Sequence, residues 1–277
     1  MPNRRTRQRQ LAKLAERRAA ERARKRRQRI LAAVVAVALA LGGGGFLLAT
    51  FLGGGSPTPA ASPRATPSAT PAVSVACGGT VPKAASKKKP SFKKPPKDTI
   101  DAKKTYTIKM QTSCGTIEIQ LDQKSAPHTV NSLVFLARQH FFDGLLFHRT
   151  VQDFVIQGGD PLTVAGNPPA SFGTGGPGYK TVDPPPKGAT YAQGTVAMAK
   201  AGTEANGTAG SQFFVVTGAS AGSALAPGGT GQYAIVGKVT KGLDVALQIE
   251  HLPREQGAAD GRPAQDVYIV KVTVEVS

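Results

Sequence analysis

The sequence predicts a mainly β protein, one closed barrel domain at its C-terminal end, preceded by a membrane-spanning helix and an extended spacer. Three observations carry that expectation. From residue 105 onward, short alternating or apolar runs recur between Gly- and Pro-rich turns, the pattern of a sheet rolled on itself. Only two stretches there, Pro127–His140 and Gly242–His251, have helical spacing. The span 105–277 is also the size of a single core.

The chain carries a formal charge of +18, unevenly spread. Residues 1–29 hold thirteen Lys/Arg against two Glu, residues 53–104 ten against two, and residues 105–277 twelve against thirteen. The basic character therefore belongs to the tail and spacer, which removes the main support for nucleic-acid binding by the domain. Residues 1–29 favour a solvated helix and read as a cytoplasmic topology signal under the positive-inside rule. Ile30 to Leu52 follows without a charge, long enough at about 1.5 Å per residue to cross a bilayer core of about 30 Å. The long positive region and the lack of a small-x-small site behind the apolar run favour a retained single-pass anchor over a cleaved signal. Residues 53–104, with Ser-Pro, Thr-Pro and Lys-rich runs, read as a solvated linker. Outside the membrane, the two cysteines, Cys77 and Cys114, suit a disulfide tying the linker's end to the first strands, with two free thiols as the alternative.

Within the domain, Tyr106–Thr112 and Thr116–Leu121 alternate across Ser113-Cys114-Gly115 and predict a hairpin. Val130, Leu133, Val134 and Ala137 form an apolar stripe in the first helix, with Pro127 in its first turn. Further strands are expected at Leu145–His148, Phe154–Gln157, Thr195–Ala199, Gln212–Thr217, Tyr233–Val239 and Val267–Val274. Leu243, Ala246, Leu247 and Glu250 share a face in the second helix. Residues 161–194 and 202–210 are Gly/Pro-rich loops, natural walls for a groove.

The stretch from Phe147 to Pro161 is the most informative. It sets one cation, Arg149, before an apolar run that closes on Gly158-Gly159. If Phe154–Gln157 is a strand, Val155 and Gln157 share a face, with Arg149 reaching in from the preceding turn. One arginine beside apolar and amide groups suits a neutral, carbonyl-rich ligand; a phosphate would call for several cations. Ser211 has no paired base by motif, which argues against a serine hydrolase.

Phe147-His148-Arg149, a spacer, and Phe154-Val155-Ile156-Gln157-Gly158-Gly159-Asp160 together resemble the signature of the cyclophilin-type peptidyl-prolyl isomerases. Gly194–Ala199 and Gly210–Val216 are similar to two further blocks of that family, in family order. The resemblance implies an eight-stranded antiparallel barrel capped by two helices. It implies catalysis of prolyl isomerisation by Arg149, Phe154 and Gln157. It also implies a substrate groove of Val155, Ala199, Lys200, Gln212, Phe214, Leu225 and Tyr233. The sequence departs from the family at Val155 (commonly Met), Lys200 (commonly Asn) and Tyr233 (a pocket His). Residues are added between Asp160 and Gly173 and between Gly202 and Ser211, and the chain has no Trp.

The implied reaction needs no nucleophile, metal or cofactor. Rotation about the imide bond makes its nitrogen pyramidal and basic, so a donor aimed at it is stronger in the twisted state than in the planar one. The expected partners are proline-containing segments of secreted or envelope polypeptides. The expected form is a monomer held to the membrane by one N-terminal span, the domain outside. The competing reading is a non-catalytic module that captures proline peptides in the same groove.

Overall fold

The computed structural model describes residues 74–226 and 231–277. The expected tail 1–29 and membrane span 30–52 lie outside the described residues. Among the described residues, no helix is long and apolar enough to cross a membrane.

Eleven strands follow one another among the described residues: β1 (Tyr106–Thr112), β2 (Gly115–Leu121), β3 (Phe147–Val151), β4 (Val155–Gly158), β5 (Thr181–Val182), β6 (Thr195–Met198), β7 (Thr208–Ala209), β8 (Phe213–Val216), β9 (Ile235–Lys241), β10 (Asp260–Gly261) and β11 (Ile269–Val276). Among the described residues three α-helices join them: α1 (Pro127–Arg138), the single turn α2 (Gly222–Leu225) and α3 (Leu243–His251). Nine strands form one curled sheet in the order β10-β3-β4-β8-β6-β9-β2-β1-β11, and β5 pairs with β7 apart from it.

The expected closed, eight-stranded barrel is corrected here: the sheet has nine strands and its ladder stays open between β10 and β11. The short strand β10 takes the edge of β3 at Thr150 and Val151. The two edges then meet only around the starts of β3 and β11, through a Leu146–Tyr268 bridge and three backbone bonds, Phe147 N to Val267 O at 2.9 Å, Ile269 N to Leu145 O at 2.7 Å and Gly144 N to Ile269 O at 2.6 Å. The result is a half-barrel with its two edges tacked together at one level.

Alternation fills the interior as the hairpin predicts. Tyr106, Ile108 and Met110 of β1 and Ile117, Ile119 and Leu121 of β2 are all buried. The helical stripe of α1 is buried against the same core. Strand β8 divides its two aromatics: Phe213 joins the main core, whereas Phe214 joins a second cluster with Phe154, Val155, Tyr191 and Leu225.

Residues 74–104 differ from the expected linker: they lie against the domain as a strap. Its apolar residues are too sparse to show a helix or strand period, and Val81 is exposed, yet several find a seat. Ala76 and Ala85 are fully or almost fully buried. The Phe92 ring meets Phe135 edge-on at 5.0 Å. Asn131, buried on α1, receives Thr99 N at 2.9 Å and donates to Lys97 O at 3.0 Å. Cys77 and Cys114 are joined as a disulfide across 37 positions.

Closing a loop of that length removes denatured-state entropy worth about 3–4 kcal/mol. The double variant Cys77→Ser/Cys114→Ser should therefore lose stability of that order in equilibrium urea unfolding. A loss under about 1 kcal/mol would show that the strap's packing alone holds it.

Candidate active site

Arg149 sits mid-strand on β3, directly opposite Gln157 of β4. The sequence placed it in a preceding turn. The strand runs on to Val151, and the reversal falls at Gln152-Asp153, where Asp153 takes a positive φ of 53°. Phe154 is consequently in the turn and not in the strand, so alternation does not bind it, and it reaches the same side as Val155 and Gln157. Ile156 points the other way, into the main core.

The guanidinium is fixed from two directions. Its Nε and Nη2 donate to the two carboxylate oxygens of Asp260 at 2.7 and 2.6 Å, a bidentate pair. Its Nη1 donates to Gln157 Oε1 at 3.2 Å. Gln157 Nε2 then donates to Gln212 Oε1 at 3.1 Å, and Gln212 Nε2 to the carbonyls of Gly173 and Gly175, both at 2.9 Å. Arginine has five N–H donors. Three are committed here, which leaves two to act on a ligand.

Arg149, Phe154, Val155, Gln157, Ala199, Lys200, Phe214, Leu225 and Tyr233 line one small open pocket. These are all the residues singled out in the sequence for the groove except Gln212, which lines the adjoining polar cleft together with Ala199 and Lys200. Tyr233 meets Phe214 edge-on at 5.3 Å. Its backbone is held at both ends by Tyr191, whose hydroxyl donates to Tyr233 O at 2.8 Å and accepts from Tyr233 N at 3.0 Å.

The loop after β4 is organised by buried Asp160, whose carboxylate accepts Leu162 N, Gly173 N and Gly175 N. Burial pushes this carboxyl's pKa up, and those backbone donors oppose the rise. Gly159 has φ +85°, and a Cβ there would stand 2.4 Å from Ser211 O, so only glycine fits.

Charge in the site is confined. His148 is buried, its ring nitrogens have no hydrogen-bond partner among the described residues, and burial with Arg149 beside it pushes its pKa down to about 4, which leaves it neutral at neutral pH. Lys200, which stands where the family pattern has asparagine, donates its ammonium to the carbonyls of Ala201 and Glu204 at 3.1 and 2.9 Å, 5.9 Å from the centre of the Tyr233 ring. Desolvation lowers its pKa. Burial raises that of Tyr233, so the phenol remains a neutral donor.

Asp260 and Tyr191 were not legible in the sequence. Asp260 lies 111 positions from Arg149 in a segment with no strand signature, and only the β10–β3 pairing brings it in. The single signal was a lone carboxylate in an Asp-Gly pair facing a chain whose groove cation lacked a counter-ion.

Comparison with known proteins agrees with this geometry. Residues 107–274 match the model of the family described as cyclophilin type peptidyl-prolyl cis-trans isomerase. The chain is 37% identical over 188 residues to peptidyl-prolyl cis-trans isomerase B of Streptomyces anulatus, covering 60% of this chain and 94% of that one. It is 40% identical over 137 residues to the isomerase B of Bacillus subtilis, covering 49% and 83%. A Cryptosporidium parvum cyclophilin structure superposes with a TM-score of 0.51 at 23% identity, over 62% of this chain and 98% of that one, a likeness of fold.

Asp260→Asn should free the guanidinium. Exchange of the Arg149 Nε–H with water, followed by ¹⁵N NMR, is expected to quicken at least tenfold. Unchanged exchange would mean that Gln157 and packing suffice to hold the arginine.

Proposed function

The chain belongs to the cyclophilin-type peptidyl-prolyl cis-trans isomerases, and from that premise we propose how its groove works and where it is held. It is a peptidyl-prolyl cis-trans isomerase acting on proline-containing peptides. The proline ring enters the pocket of Phe154, Val155, Phe214, Leu225 and Tyr233, and Arg149 donates to the imide nitrogen as the bond twists. Gln157 holds a substrate carbonyl through its second Nε2 hydrogen, Gln212 sits beside it and orients it, and the Ala199-Lys200 backbone pairs with the peptide.

The observation that carries this reading is the doubly anchored Arg149 on the rim of an apolar pocket. A planar prolyl bond resists rotation by about 18–20 kcal/mol. A donor already oriented toward the pyramidal nitrogen stabilises the twisted state without reorganising. A hydrogen bond to a charged group contributes about 1.5–3 kcal/mol, or one to two decades of rate. The remainder comes from desolvating the ring and holding the chain while the preceding carbonyl swings.

The site of action is the outer face of a membrane, with a single-pass anchor at residues 30–52 and the basic tail 1–29 in the cytoplasm. What supports this is the uncharged run from Ile30 to Leu52 behind thirteen Lys/Arg. The disulfide of the strap fits an oxidising compartment. The clients are secreted or envelope polypeptides. It acts as a monomer.

Arg149→Ala in the full-length chain should lower kcat/KM on an Ala-Pro reporter peptide ten- to hundredfold, measured by the coupled cis-to-trans assay. An unaltered rate would take the donor role away from Arg149. Deleting residues 1–52 should move the protein from the membrane fraction to the soluble one, and a truncated protein still in the membrane fraction would refute the anchor.

A further inference from the structure

Arg149 and Gln157 are a partition as well as a rim. On the side away from the proline pocket they line a second open cleft, walled by Phe172, Glu255, Asp260 and Arg262. Part of this wall belongs to the residues inserted between Asp160 and Gly173, a feature that sets the chain apart from the family pattern.

Phe172 is held in place from behind. It caps the 3₁₀ turn Pro169–Ser171, its N–H bonded to Pro169 O at 3.0 Å. It packs on a small cluster of Ala85, Leu146 and Tyr268, so the strap supports it. The Arg262 guanidinium lies over its ring at 5.6 Å.

The charged groups of this wall are already matched. Arg149 is paired with Asp260, and Arg262 with both Asp266 and Glu255. His148 beneath them is uncharged at neutral pH. An incoming charged side chain would have to break one of these pairs, whereas an uncharged apolar one displaces only water from beside Phe172. An extended peptide advances about 3.3 Å per residue, so a chain with its proline in the first pocket presents a neighbouring side chain across the Arg149–Gln157 partition.

We propose that the second cleft is a specificity subsite for the isomerase reaction. It takes an aromatic or large aliphatic side chain of a residue flanking the substrate proline, and Phe172 is its specificity-determining residue. This rests on the groove reading given above, and the test separates the two.

The full-length chain is assayed on reporter peptides in which the residue on either side of the proline is in turn Gly, Leu, Phe, Asp or Lys. At one of the two flanks, kcat/KM for Phe and Leu should exceed that for Gly, Asp and Lys at least fivefold. Phe172→Ala should bring the Phe:Gly ratio to within twofold of unity. Phe172→Leu keeps the wall apolar and should halve the Phe:Gly ratio or more while keeping the preference for Leu, which decides the matter should the alanine variant fail to fold. A flat profile at both flanks overturns the subsite, as does a Phe preference that survives both variants. Arg149→Ala is run on the same peptides. Loss of turnover on all of them, Gly included, reports the groove independently of the subsite.

Discussion

The bidentate pair between Arg149 and Asp260 is the contact on which the groove's geometry turns. A free arginine samples many rotamers, and ordering such a side chain costs up to about 2 kcal/mol. Here that cost is met during folding: Asp260 takes one edge of the guanidinium and Gln157 another, so the remaining donors are set before any peptide arrives. The pair also explains a feature of the sheet that otherwise looks like a defect. Two residues, Asp260 and Gly261, add to the edge of β3 where a longer strand would continue the ladder, and in doing so they deliver the carboxylate.

The remainder of the site is a relay of polar contacts that starts far from the groove. The strap receives Ala165 N at Ala85 O at 2.8 Å, and its Phe92 N bonds Pro177 O at 2.8 Å, so it braces both ends of the loop between Asp160 and Tyr179. Asp160 draws the middle of that loop inward by its backbone N–H groups. The carbonyls of Gly173 and Gly175 then orient Gln212, which orients Gln157, which meets Arg149. Each member has a partner on either side, as a buried amide network must to be worth its desolvation.

Much of this was legible beforehand, for identifiable reasons. The residues of the first pocket were found through the resemblance of short motifs to a known family, and the period of two added only that Val155 and Gln157 share a face. Strand ends were less legible, since Arg149 and Phe154 exchange turn and strand depending on where one positive-φ residue, Asp153, reverses the chain. Barrel closure failed as an expectation because it depends on β10, two residues with no β propensity of their own. The strap was hidden by its lysines and prolines. Its few anchors, Ala76, Ala85 and Phe92, matter through what they touch and have no periodicity to announce them.

The disulfide has a consequence for how the domain can be separated from whatever precedes it. The lysines at 87–89 and 93–94 make the strap the obvious place for a trypsin-like protease to cut. Every such cut falls between Cys77 and Cys114, so the two fragments stay covalently joined. A nick there leaves the domain bonded to the residues around Cys77, and separating the two requires either cleavage ahead of Cys77 or a nick followed by reduction. The strap thus behaves as a latch with two keys, one proteolytic and one reducing.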